Sequence, residues 1–456
     1  MKLATAFVFF MLAAVLFSCI NERYYLKTGA ETGGRAHATS GGTQAIPPDN
    51  VSLLQDVSRY RTGEPSERVR TLPESLTRTV SQKPEKNLAD LVRALTEGEG
   101  DDFQKVKNIH DWIALHICYD GRAYATQVVP DQSSAAVLKR GTAVCEGCAT
   151  LFRIMCETAG FACVTVRGYS RGYGYDPETE ETIRENHAWN AVRIGGAWYL
   201  VDATWDAGFL SASGTYVPRY DTGYLFIHPR GIIYTHFPTD ERLQLVHPPR
   251  PPQDFLDLPY VTGEYFTVFE GPPRGVRKLN QAEESAVIVL PPHSDQYVVG
   301  ADIMSQDERE QMKREGRVST SHPRNLFIER TPEATVLRIH FPDGGRWYVS
   351  VHAMKKQARE GVELRETGDG TFTYTGIEYI RIADFLYQVS RGCGKTFPKL
   401  GFEALVDYTL HGPVHNPLAA GRQVRFSFTV PGEKTAVISA YRDMGDSLRR
   451  VEEKSV

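Results

Sequence analysis

Apolar and polar positions change period along the chain. Downstream of Asp101, apolar residues recur at helical spacing through Phe103, Val106, Ile109, Trp112 or Ile113 and Ile117. This predicts an amphipathic helix capped by Asp101. A shorter helix is expected at Asn87 to Leu95, and another at Gln132 to Arg140, stopped by Gly141. Val144 to Ala159 is apolar nearly all round, as in a buried helix. Phe161 to Gly168 reads as a strand, Ser170 to Asn186 as a polar loop. Two further strands, His187 to Arg193 and Trp198 to Ala203, meet at Gly195-Gly196.

Beyond the linker Pro248 to Pro252 the period becomes two. Leu337, Ile339 and Phe341 share one face, as do Trp347, Val349 and Val351 after the turn at Asp343-Gly344-Gly345. Val424, Phe426, Phe428 and Val430 alternate in the same way. These are sandwich-like strands, placed in one module at 254–360 and a second at 385–456. The second is short for a sandwich, so either 361–384 supply strands to it or it is incomplete. The runs Gln306 to Arg317 and Arg449 to Lys454 read as solvated helix faces.

The N-terminus has a different pattern. Lys2 precedes an uncharged run to Ser18, the build of a secretory signal over residues 1–18. Cys19 follows directly, which resembles a bacterial lipoprotein signal with Cys19 as the lipidated first mature residue. Ordinary cleavage and a retained signal anchor are the alternatives. Residues 19–50, glycine-rich and polar over Glu31 to Asn50, read as a flexible tether, and 51–99 as an extension before a core at 100–250. The expected location is an exported, lipid-anchored cell-envelope protein.

The 456 residues hold 41% hydrophobic and 24% charged side chains, which excludes a mainly disordered chain and a polytopic membrane protein. The net charge of -4 provides no basic field for nucleic acid. Seven cysteines are too few for a disulfide scaffold of this length.

The candidate chemistry lies between Gly141 and Gly208. Cys145 falls at the start of the buried helix, where free N–H groups and the positive dipole end favour a thiolate nucleophile. If the Gly195-Gly196 loop has two residues, Ile194 pairs with Ala197 and Asp202 falls opposite Trp189. His187 and Asp202 are then diagonal neighbours, roughly 7–8 Å apart at the backbone and within side-chain reach. Asp202 would fix the imidazole tautomer, and His187 would pair with Cys145.

Three segments carry a resemblance: Gly141-Thr142-Ala143-Val144-Cys145-Glu146-Gly147, His187-Ala188-Trp189-Asn190, and Trp198 to Trp205. In that order they resemble the three blocks of the transglutaminase-like superfamily. Trp112 to Asp120 resembles the helix before its core. Tyr224 to Leu245 resembles the tail of the branch that includes the kyphoscoliosis peptidase, which also follows its core with β-sandwich modules. The resemblance implies an α+β fold, a papain-like core of helix packed on antiparallel sheet. It implies Cys145 as nucleophile, His187 as base and acid, and Asp202 as orienting carboxylate, acting on a protein or peptide amide through a thioester. Hydrolysis is favoured over amine transfer. The Cys145 N–H and Gln132 are oxyanion candidates. No cofactor or metal is implied, and there is no EF-hand loop.

Other readings stand beside these. Cys145 and Cys148 form a C-x-x-C that could serve redox chemistry, although Cys148 shares a helical face with Phe152 and suits core packing. A catalytically idle scaffold binding a cell-envelope partner is a further alternative. Asp206 rivals Asp202 but lies beyond the paired stretch, as a turn residue. His228, His236 and His247 read as surface or partly buried histidines. Trp189 and Tyr169 are substrate-wall candidates, and Arg171, Tyr173 and Tyr175 either touch substrate or belong to a solvated loop.

Overall fold

Among the described residues, five helices of seven or more residues and a four-stranded sheet frame the first half of the chain. In this computed structural model the described residues are 50–315 except 180 and 212, then 322, 325–355, 363–367, 371–375 and 380–397, and the strands 409–412, 427–429, 437–443 and 448–455. The signal, the lipidation site Cys19 and nearly all of the tether lie outside them.

The helices are α1 (Glu74–Gln82), α2 (Pro84–Thr96), α3 (Asp102–His116), α4 (Ser134–Arg140) and α5 (Cys145–Thr158). Asp101 caps α3 as expected, its Oδ1 accepting from the Phe103 N–H at 3.0 Å. Its other oxygen accepts from the Tyr60 hydroxyl at 2.5 Å. Asp101→Ala is therefore expected to lower stability by about 1–2 kcal/mol. A shift of the urea midpoint at unchanged slope would show this, and an unmoved midpoint would contradict it.

The sheet is β1 (Cys163–Ser170), β2 (His187–Ile194), β3 (Ala197–Val201) and β4 (His236–Pro238), antiparallel throughout in the order β3-β2-β1-β4. Helix α5 lies on β1 and β2. Leu151, Phe152 and Met155 from α5 share a core with Val192, Tyr199 and Val201 from the sheet. Tyr60, Val80, Leu91 and Leu95 complete that core, so the 51–99 segment packs into the same body as the helix and sheet it precedes. The Asn190 amide donates to the Ala149 carbonyl at 3.0 Å and ties β2 to α5.

The second half is a β-sandwich. Its strands are β5 (Tyr260–Val261), β6 (Leu279–Ala282), β7 (Ser285–Leu290), β8 (Tyr297–Ser305), β9 (Leu326–Arg330), β10 (Thr335–His340), β11 (Gly345–Lys355) and β12 (Ile380–Val389). One sheet runs β6-β12-β11-β8 with β5 on β12; the other runs β7-β10-β9. Leu337 and Ile339 from β10 face Val349 and Val351 from β11 and Phe385 from β12 in one core.

Two expectations change here. The boundary at 385 falls inside β12, which pairs along β11 from Gly345 to Ala353. The expected break therefore cuts a central strand of the first sandwich. The run Arg449 to Lys454 lies in the strand Leu448–Ser455 rather than in a helix. By contrast, Gln306–Glu315 is helical (α6), yet its Arg309 is buried against Asp176 and Tyr348. Among the described residues no helix is long and apolar enough to cross a membrane.

Candidate active site

Cys145 is the first residue of α5 and is partly accessible. The turn before it is held by Gln132, whose side-chain oxygen accepts from the Val144 N–H at 3.0 Å. Gly147 is required for this approach, since a Cβ there would sit 2.3 Å from the same oxygen. Gln132 Nε2 donates to the Pro130 carbonyl at 2.9 Å. The oxyanion candidate thus lies beside the helix start, one residue from the nucleophile candidate.

The hairpin has the anticipated register. Ile194 faces Ala197 and Asn190 faces Val201, with Gly195 at φ +58° and Gly196 at +93° forming the two-residue turn. Both backbone angles are costly for residues with a Cβ, which explains the glycine pair. Asp202 follows the end of β3, and His187 opens β2. His187 Nε2 donates to Asp202 Oδ2 at 2.6 Å. The other ring nitrogen, Nδ1, is left free of Asp202, and Cys145 is a neighbour close enough to act on the imidazole. The structure therefore gathers Cys145, His187 and Asp202 at one site.

Electrostatics follow from burial and partners. Burial opposes a charge on His187, but the Asp202 carboxylate outweighs it, with Cys145 adding to the effect, and the imidazole is raised to about 10. Burial likewise disfavours the Asp202 anion, yet His187 and His236 hold it well below the usual carboxylate range. Asp202 Oδ1 also accepts the backbone N–H groups of Thr204 at 2.9 Å and Trp205 at 3.1 Å. This is a carboxylate with donors on both oxygens, fixed in its ionised form.

Of the wall candidates, Trp189 stacks behind the imidazole, ring centroids 5.9 Å apart, and is 2% exposed. It backs the histidine and presents no open wall. Tyr169 is turned away from this role: it packs edge-on against Phe255 at 5.9 Å, half-buried against the core of the sandwich half. Arg171 is fully buried, so it too is closed to substrate. The aromatic rim near the sulfur comes instead from Tyr119, Tyr124 and Tyr173, joined ring to ring at 6.1 and 5.9 Å. Burial pushes the Tyr119 and Tyr124 phenols up, and Cys145 adds to both shifts. Tyr119 arrives there because it pairs with Ala143, just ahead of the helix.

Asp206 lies in a turn, as expected, but the turn is an interior one. It is buried, accepts from His110 Nε2 at 3.0 Å and from the Tyr224 N–H at 3.0 Å, and belongs to a network with Asp111, Lys107 and Tyr220. His228 and His247 are exposed. His236 departs from the surface reading: it is fully buried, with Nε2 3.1 Å from Asp202 Oδ2. No local pattern marked it, because its partner lies 34 positions away. Donor atoms of His187, Asp202 and His236 lie within 4.8 Å of one another. Both imidazoles, however, aim an N–H at the same carboxylate oxygen, an arrangement for hydrogen bonding and not for ligation.

Cys148 is 3% exposed and shares the core with Phe152. Burial pushes its thiol up to about 12, against the opposing effect of the neighbouring Thr204. A redox dithiol needs ready thiolates, so core packing is the better account. Cys148→Ala is expected to leave the alkylation rate of Cys145 within about twofold. Loss of that reactivity, read by peptide mapping, would restore the redox alternative.

Residues 89–203 match the model of the transglutaminase-like superfamily. Kyphoscoliosis peptidase of Mus musculus is 35% identical over 195 residues, 42% of this chain and 30% of that protein. Hillarin of Drosophila melanogaster is 31% identical over 207 residues, 41% of this chain and 24% of that protein. A solved TGase structure shares 21% identity over 29% of this chain and 37% of that chain, with a TM-score of 0.20. The chain spans less than a third of the length of these two curated relatives. The segment that holds Cys145, His187 and Asp202 is a transglutaminase-like domain, similar to that of the kyphoscoliosis-peptidase branch.

Proposed function

We propose that this protein is a thiol acyl enzyme acting on protein or peptide amides. One observation carries the reading. A buried imidazole is gripped by Asp202 at 2.6 Å on Nε2 and has the helix-start Cys145 as a neighbour. The Cys145 thiolate attacks the amide carbon, and the carbonyl electrons move to oxygen. The Cys145 N–H, at the start of α5, is the candidate donor to that developing charge. As the intermediate collapses, the C–N bond breaks and the His187 imidazolium passes its proton to the leaving amine. A thioester remains on Cys145. Neutral His187 then takes a proton from water, which attacks the thioester and regenerates the thiol. An amine in place of water gives transfer. Water is favoured because the similar relative is named a peptidase.

The test is turnover of a mixed peptide pool by the full chain, followed by mass spectrometry. New carboxyl termini or deamidated glutamines are expected, and Cys145→Ala abolishes them. Undiminished turnover by Cys145→Ala overturns the reading. We also propose export and lipid anchoring through Cys19, with a cell-envelope partner for the sandwich. Labelled palmitate should enter the wild type and not Cys19→Ala; equal labelling of both contradicts the anchor.

A further inference from the structure

His236 opens β4 and pairs with Ser170 of β1, which brings it behind the catalytic hairpin. The acyl chemistry above does not use it. Its ring is enclosed by Trp205 at 4.5 Å, Trp189 at 5.0 Å, His187 at 5.3 Å and Tyr224 at 5.4 Å, centroid to centroid. A side chain placed only to fill this aromatic cage would have no need of nitrogen.

Both nitrogens are nevertheless engaged. Nε2 lies 3.1 Å from Asp202 Oδ2, the oxygen that His187 Nε2 approaches at 2.6 Å. An ionised carboxylate has no proton to give, so His236 Nε2 carries the hydrogen. Nδ1 lies 2.8 Å from Thr235 Oγ1. In the neutral ring that nitrogen accepts, and the threonine hydroxyl, which also lies 3.3 Å from the Ile232 carbonyl, donates to it at the shorter distance. The tautomer is thereby set from both ends. The charged groups acting on His236 are Asp202 and His187, of opposite effect. Burial, reinforced by the neighbouring His187, lowers it to about 4, so the ring stays neutral where the enzyme would work.

We propose that His236 is a positioning residue for the Cys145–His187 pair, a neutral donor that fixes the charge and rotamer of Asp202 so that Asp202 can hold His187. This rests on the acyl-enzyme reading. Its neutrality matters, because a second imidazolium would compete with His187 for one carboxylate. Without it, Asp202 Oδ2 loses one of its two donors, and the carboxylate can turn or draw water. His187 is then less firmly held as a cation, and the thiolate it pairs with is less favoured at low pH.

Two variants separate the donor from the shape. His236→Phe keeps a flat ring in the aromatic cage and removes the N–H. His236→Gln keeps an N–H within reach of Asp202. The readout is the pH profile of Cys145 alkylation by iodoacetamide, with circular dichroism to confirm folding. In His236→Phe the acid limb of the profile should move up by about one pH unit, the scale of one lost hydrogen bond to a charged group. His236→Gln should recover at least half of that shift. Thr235→Val, which frees the tautomer, should move the limb the same way by less, and it carries the test if His236→Phe does not fold. A folded His236→Phe with the parental profile, or a Thr235→Val with the parental profile where His236→Phe is unfolded, overturns the proposal. If the parent itself shows no reactivity near pH 6, the acyl-enzyme reading has failed first, and the two failures are told apart.

Discussion

His187→Ala is expected to slow alkylation of Cys145 at pH 6 by about a hundredfold. Asp202 holds the imidazole raised to about 10 against the opposing effect of burial, so His187 remains a cation through neutral pH. A cation beside the sulfur favours the thiolate over the thiol. Without it, a thiol titrating near 8.5 is only about 0.3% ionised at pH 6. At pH 10 the two proteins should converge, because the unassisted thiol is then ionised as well. Parallel profiles across the whole range would show that His187 does not reach the sulfur. The same shift affects stability. A histidine raised above its unfolded value adds stability that is complete below about pH 6.5 and is lost as pH climbs toward 10. The melting temperature of the parent should therefore fall more between pH 7 and 10 than that of His187→Ala.

The second large effect lies away from the sulfur. Arg171→Met is expected to cost about 3–5 kcal/mol of stability. The guanidinium is fully buried and pairs with both oxygens of Glu181, at 2.7 and 2.9 Å. It also donates to the Leu258 and Phe255 carbonyls at 2.9 Å each and to the Tyr234 carbonyl at 3.1 Å. These acceptors lie on both sides of the junction between the transglutaminase-like core and the sandwich. Methionine fills much of the volume but leaves Glu181 with Lys278 alone, at 3.1 Å. It also strands several buried carbonyls. Lysine should not rescue, since one ammonium cannot reproduce a planar fork of donors. Urea unfolding followed by circular dichroism reads the loss; a change under 1 kcal/mol would contradict the account. The loop that follows Arg171 runs into His187, and Arg309 holds its Asp176 at 3.2 Å from the sandwich side. Activity should therefore fall together with stability.

These two sites differ in how far the sequence reveals them. The helix start at Cys145, the Asp101 cap and the Gly195-Gly196 turn are local devices, and a two-residue loop sets which faces His187 and Asp202 share. Periodicity and turn chemistry suffice for such features. His236 and Asp206 were not legible, because their partners lie 34 and 96 positions away and no period links them. Arg171 lies in a polar, tyrosine-rich stretch that reads as a solvated loop. Burial arises there only once the sandwich docks on it. The break expected at 385 failed for a related reason. A strand is defined by its neighbour, and β12 finds β11 across a gap whose own strands, Glu363–Thr367 and Thr371–Thr375, pair with each other. The strand Leu448–Ser455 carries charges where a helix face would, and with Leu448 and Val451 as its apolar positions the pattern does not discriminate between the two.

The central claim is that the Cys145 sulfur becomes covalently acylated. The direct measurement is acid quenching of the full chain during turnover of a peptide pool, followed by mass mapping of the peptide that contains Cys145. The account predicts a hydroxylamine-sensitive acyl adduct on Cys145 that is lost in Cys145→Ala and depleted in His187→Ala. Turnover with Cys145 unmodified throughout, or an adduct on another residue, would contradict it.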